Sequence, residues 1–171
     1  SFALFDDTLS VDLDAPSRLL YGLAETIVCR EAGEIEDTFQ AIETAAAAGK
    51  WLALAANYEL GYALESALRR QRPSERPLLT ALVFEHMLPL GHDEADEFIA
   101  AQIAALPPHA RIAGIGGLKP SLSEDDFNAA IARVRTYIEA GDCYQVNFTY
   151  SLAFDYYGAP LALYAKLRRA Q

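Results

Sequence analysis

Cysteine is scarce in this sequence, which has only Cys29 and Cys143 in 171 residues. They stand far apart, without a CxxC spacing or a neighbouring histidine, so neither a disulfide framework nor a zinc site is indicated and both read as reduced thiols. Positive charge is also short: 14 Lys and Arg face 24 Asp and Glu, a formal charge of −10. Nucleic-acid affinity comes largely from cations that neutralise phosphates, so nucleic acid is excluded as a partner. No apolar run reaches the roughly 18 residues of a membrane span. The start, Ser1 leading into FALFDD, has neither the basic end nor the apolar core of a secretory signal. The expectation is a soluble, cytoplasmic protein with no membrane partner. Repeats, low-complexity segments and any stretch polar enough to be an inter-domain linker are likewise missing.

What is present is an ordinary globular balance, 52% hydrophobic and 22% charged. Short apolar runs alternate with helical patterns. The runs predict strands over Phe2–Phe5, Leu19–Cys29 with a possible break, Trp51–Asn57, Leu78–His86, Ile112–Leu118 and Cys143–Phe154. Helical spacing predicts helices over Ile35–Ala48, Asp93–Ala105, Glu124–Ala140 and Leu161–Arg169, with a helical turn over Leu60–Arg70 and a proline-containing loop over Arg72–Pro77. Leu161, Tyr164, Ala165 and Leu167 share one face of the last helix, and no Gly or Asn terminates it. The chain is therefore read as a fragment whose gene product continues past Gln171.

Ser123–Leu152 is the clearest local unit. Ser123 and Asp126 form a near capping box, Phe127, Ile131, Val134 and Ile138 recur at helical spacing, and Gly141 suits a left-handed cap. Beyond it, Tyr144, Val146, Phe148, Tyr150 and Leu152 alternate with Cys143, Gln145, Asn147, Thr149 and Ser151. The second set holds four hydrogen-bonding side chains and no charge. Amides and hydroxyls cost less to desolvate than charges, so this face suits a pocket for an oxygen-rich small molecule. A mixed sheet face satisfied by backbone or water is the other reading.

Two weaker patterns lead elsewhere. Gly114, Gly116 and Gly117 imitate a dinucleotide loop, but Lys119-Pro120 follows where a helix should start, and a close approach of sheet backbones explains them better. Glu85-His86 and His92-Asp93 are separated by a segment with Pro89 and Gly91 that reads as a loop, and no three-ligand metal spacing emerges.

The segment Gly141-Asp142-Cys143-Tyr144-Gln145-Val146-Asn147-Phe148-Thr149 resembles the GDxYQVNxT signature of the chorismate-binding enzymes, and Tyr137–Asp142 resembles the "YIxxGD" helix end before it. Phe2–Asp7 is similar to that family's first strand. Gly49-Lys50-Trp51 with Tyr58-Glu59-Leu60-Gly61-Tyr62 is similar to its "GxW … YExGY" block. In isochorismate and salicylate synthases a lysine stands at the Gln145 position as general base on water; glutamine cannot remove a proton. The resemblance thus implies the ammonia-using branch, with Gln145, Asn147 and Thr149 binding substrate. Tyr144–Asn147 resembles the aminodeoxychorismate synthases, component I, which replace the 4-hydroxyl of chorismate by ammonia on the way to 4-aminobenzoate and folate. The alternatives are anthranilate synthase component I and a non-catalytic ligand-binding domain on the same fold.

The resemblance also implies an α+β fold of antiparallel sheets with packed helices, present only as its N-terminal part. Residues 1–122 would be the N-terminal region and 123–171 the start of the chorismate-binding region. It implies Mg²⁺ held by glutamates beyond this fragment, with no metal ligand and no assured catalytic residue inside it, so the fragment alone is expected to be inactive. Ammonia would come from a glutamine amidotransferase subunit or domain. Many relatives carry LLES or LLDS in the first strand as part of a tryptophan pocket; Leu4, Phe5, Asp6 and Asp7 stand there as a possible remnant. Asp7 in place of Ser either preserves an ammonium contact or marks the pocket's loss, and a solvated strand end is the plainer reading of both acids. Glu59, in the YE motif, either anchors a turn or touches ligand.

Overall fold

The computed structural model describes residues 1–10, 14–65, 67 and 75–170. They fall into two compact units, Ser1–Phe98 and Ile99–Gln171.

The first unit is a four-stranded antiparallel sheet in the order β1-β2-β4-β3, made of β1 (Phe2–Phe5), β2 (Ser17–Cys29), β3 (Trp51–Ala56) and β4 (Leu79–Leu90). The strand expected over Leu19–Cys29 is continuous. Its suspected break is a bulge: Gly22 takes φ +73° and the pairing with β4 shifts between Leu23 and Glu25. The strand expected to stop at His86 runs on to Leu90 and takes in Pro89, which the sequence reading had placed in a loop. A proline fits there because β3 accompanies β4 only as far as Trp51 opposite Phe84, so beyond that point one edge needs no ladder donor.

Helix α1 (Ile35–Ala47), entered through a single 3-10 turn at Ala32–Glu34, and the short α2 (Glu59–Leu64) cover one end of this sheet. Cys29, Leu60, Leu78 and Leu79 are buried together there, with Ile35 and Ile42 packed against them. A second buried cluster, Leu19, Leu90 and Ala95, gathers Phe2, Leu4 and Phe98 at the other end, where α3 (His92–Ala104) begins. Of the helical turn expected over Leu60–Arg70, α2 covers Leu60–Leu64 and Ala67 is again 3-10 helical, while residues 66 and 68–70 lie outside the described residues, as do 72–74 of the expected loop. Cys29 and Cys143 are both free thiols.

The second unit holds α4 (Pro108–Arg111), β5 (Gly114–Pro120), α5 (Glu124–Ala140), β6 (Leu152–Tyr157) and α6 (Pro160–Arg168). β5 and β6 pair antiparallel as a separate two-stranded sheet. β5 starts two residues later than expected because α4, which the sequence reading missed, uses the chain as far as Arg111. The glycines act as sheet glycines: Gly117 takes φ +63° at a register shift, and a Cβ on Gly114 would meet the ring of Tyr157. On α6 the buried position is Ala162, whereas Tyr164 and Leu167 of the expected apolar stripe are exposed. The result is an α+β fold of antiparallel sheets with packed helices.

Candidate functional site

Helix α5 leads into the segment that carries the predicted substrate-binding residues. Ser123 Oγ accepts the Asp126 backbone N–H at 3.1 Å and donates to its carboxylate at 2.7 Å, so one hydroxyl closes the first turn. At the other end Gly141 takes φ +78°, and the N–H groups of Gly141 and Asp142 return to the carbonyls of Ile138 and Tyr137.

After this cap the chain departs from expectation. The strand predicted over Cys143–Phe154 is regular only from Leu152, and residues 143–151 are irregular. A strand needs a neighbouring ladder for its N–H and C=O groups, and β5 pairs with the chain only from Leu152 onward. Upstream of that ladder, Ser151 is tied across, through its carbonyl to the Ser121 N–H and its N–H to Ser121 Oγ. The alternation nonetheless persists in part. Phe148 and Tyr150 both turn to Phe127 of α5, each with ring centroids 5.8 Å apart. Gln145 and Asn147 share the opposite set, and the Gln145 amide donates to Asn147 Oδ1 at a long 3.5 Å. Gln145, Asn147 and Thr149 are all exposed, and Thr149 is not bonded to the other two. Three neutral side chains, rich in donors and acceptors and carrying only one weak mutual bond, can receive the oxygens of a small molecule without first breaking a strong contact.

The residues of the first strand meet in the other unit. Leu4 points into the cluster with Leu19, while Phe5 is exposed. Ser17, fully buried on β2, donates through Oγ to Asp6 Oδ1 at 3.0 Å and accepts the Asp7 N–H at 3.0 Å. Asp7 in turn accepts the Ser10 hydroxyl at 2.6 Å and the N–H groups of Leu9 and Ser10 at 3.0 Å each. These bonds, the Ser10 hydroxyl first, hold the Asp7 carboxyl below its usual value, and His92 nearby acts in the same direction. A ring nitrogen of His92 lies 3.0 Å from the Ser10 carbonyl oxygen. Sequence reading singled out neither Ser10 nor Ser17. The Asp7-x-x-Ser10 spacing, which suits a carboxylate closing its own turn, was the available signal.

In the remaining family block, Gly49 takes φ +77° after α1, Lys50 pairs with Glu85, and Trp51 opens β3. Hydrogen bonding from Lys50 lowers the Glu85 pKa. His86 packs on Tyr21 with centroids 5.0 Å apart. Leu60 is core, Glu59 is half-buried in the first turn of α2, and Tyr58 and Tyr62 meet edge to face at 5.5 Å. Among the described residues no three His, Cys, Asp or Glu side chains converge as a metal site, and no helix is long and apolar enough to cross a membrane.

Comparison with known proteins bears directly on the Gly141–Thr149 segment. The family described as chorismate binding enzyme matches residues 24–171. Anthranilate synthase component 1 of Pseudomonas putida is 38% identical over 50 residues, which are 29% of this chain and 10% of that protein. The match thus spans about a tenth of the relative's length. No solved structure matches. Since the family match extends over far more than half of the sequence, and takes in both the Gly49–Tyr62 block and the segment after α5, this chain belongs to the chorismate-binding enzymes.

Proposed function

We propose that this chain is part of an enzyme that aminates chorismate with ammonia. Family membership supports chorismate as the ligand, and Gln145 is the observation that carries the choice of nucleophile. Water must lose a proton to attack well, and no lysine or other strong base lies between Cys143 and Ser151. Neutral ammonia is the stronger nucleophile and can attack before it gives up a proton. In this reading Gln145, Asn147 and Thr149 orient the substrate through hydrogen bonds to its hydroxyl and carboxylate oxygens. In the same reading a magnesium ion, which prefers hard oxygen ligands, is held by acidic residues beyond the segment described here, and a glutamine amidotransferase subunit or domain supplies the ammonia.

Two products fit this reading. The likeness to an anthranilate synthase component 1 supports anthranilate, and it weighs more than the motif that supports the other branch. Tyr144-Gln145-Val146-Asn147 resembles the aminodeoxychorismate synthases and supports 4-amino-4-deoxychorismate. Incubating the protein that carries this chain with chorismate, magnesium and ammonium, and identifying the product by mass and absorbance, separates them. Either amino product upholds the amination; isochorismate, salicylate or unchanged chorismate overturns it.

A further inference from the structure

Charge is unevenly spread along this acidic chain. Residues 1–98 hold 7 Lys and Arg against 18 Asp and Glu, whereas residues 99–171 hold 7 against 6. Three of the cations in the second unit, Arg111, Lys166 and Arg169, line one cavity of about 460 Å³. Among the described residues no acid lines it, and the rest of the lining they provide is aliphatic, including Ile103, Ile112 and Ala162. Two of the cations are tethered. Arg111 Nε donates to the Leu106 carbonyl at 2.7 Å, and Lys166 Nζ donates to the Ala113 carbonyl at 3.3 Å. Each bond uses one donor of a group that has five or three. Among the described residues none of the three cations is paired with a carboxylate.

Lys166 and Arg169 stand at the carbonyl end of α6, where a cation is favoured by the helix dipole. That accounts for two of the three. Arg111 comes from α4 and is brought to the same cavity by the fold. Like charges held together around an aliphatic wall gain most from an anion that has an apolar body: the charge accepts ionic hydrogen bonds, and the body covers the isoleucines.

We propose that this cavity binds a small organic carboxylate with an apolar body. The aliphatic wall favours such a molecule over inorganic phosphate, and its volume lies in the range of small-molecule sites. The inference does not depend on the amination reading, because its probes are not substrates. The test is a ¹⁵N–¹H NMR titration of the 171-residue chain with benzoate, benzamide and inorganic phosphate. Benzoate is expected to shift resonances of residues 111–113 and 162–169 saturably, benzamide to leave them unmoved, and phosphate to bind more weakly than benzoate. Arg111→Gln and Arg169→Gln should each weaken benzoate roughly three- to fivefold, the scale of one solvent-accessible ion pair, while Arg111→Lys keeps most of the affinity; in all three, the remaining resonances stay in place. Equal response to benzamide, phosphate binding as tight as benzoate, or charge-removing variants with unchanged affinity would each overturn the proposal.

Discussion

At position 145 an amide side chain is exposed and bonded only weakly, to Asn147, among the described residues. Its removal should therefore be felt in turnover and not in stability. Gln145→Ala, made in the protein that carries this chain, is expected to lower kcat/KM for chorismate by about tenfold or more, the scale of one hydrogen bond to a charged group. Circular dichroism and the urea midpoint should stay unchanged; wild-type kinetics would remove Gln145 from the site. Gly158 presents the reverse case. It takes φ +82°, and an added Cβ would press into the backbone of Ile112 and Ala113, so Gly158→Ala should destabilise the chain by more than about 1 kcal/mol. Gly33 has nothing within 4 Å of such a Cβ, and Gly33→Ala in a parallel urea titration should be close to neutral. Both glycines look alike in the sequence. The neighbour that distinguishes them is more than forty residues away, so only the fold brings it into play.

Helix α5 shows how much an element reveals when its determinants are local. The Ser123 cap, the half-buried Phe127, Ile131 and Val134, and the Gly141 stop all lie within the helix or beside it, and its observed bounds are those expected. Ser123→Ala should cost about 1 kcal/mol of stability in urea unfolding, the usual value of a lost N-cap. The turn after β1 is local as well, and it responds to pH. Its carboxylate, Asp7, has a lowered pKa in the folded chain, so between the folded and unfolded values the unfolded chain binds more protons. The stability this turn contributes is thus complete above the unfolded value of about 4 and is lost as pH falls through the lowered one. Below about pH 4 the wild-type urea midpoint should fall more steeply than that of Asp7→Asn; parallel curves would show that the Ser10 contacts do not persist in solution. Strands were legible where a partner runs alongside, as with β1 and β3. Residues 143–151 alternate like a strand but lack a ladder among the described residues, and alternation specifies which side chains share a face without supplying hydrogen-bond partners.

Large apolar side chains of the second unit are left uncovered: Ile115, Leu118, Phe154 and Tyr156 of β5 and β6 are each about half exposed, and Tyr144 almost wholly so. The chain in solution should therefore enhance the fluorescence of an apolar dye such as anilinonaphthalene sulfonate at neutral pH while keeping its native circular dichroism. The double variant Ile115→Ser, Phe154→Ser should reduce that signal. Dye fluorescence at the level of an ordinary compact protein would mean that these side chains are covered in solution.

Composition and motif by themselves determined the broad class: an acidic α+β chain that carries the Gly141–Thr149 pattern of a chorismate-binding enzyme. These conclusions rest on residue identity and short spacings, which do not depend on distant neighbours. Tertiary structure decided what the uncharged face after α5 became, an irregular segment in which Phe148 and Tyr150 turn to Phe127 while Gln145 and Asn147 are exposed and bonded weakly to each other. It also joined Asp6 and Asp7 to the buried Ser17, and Arg111 to Lys166 and Arg169 around one cavity. In each case the partner is distant along the chain, and such contacts arise only when packing and strand pairing bring those segments together.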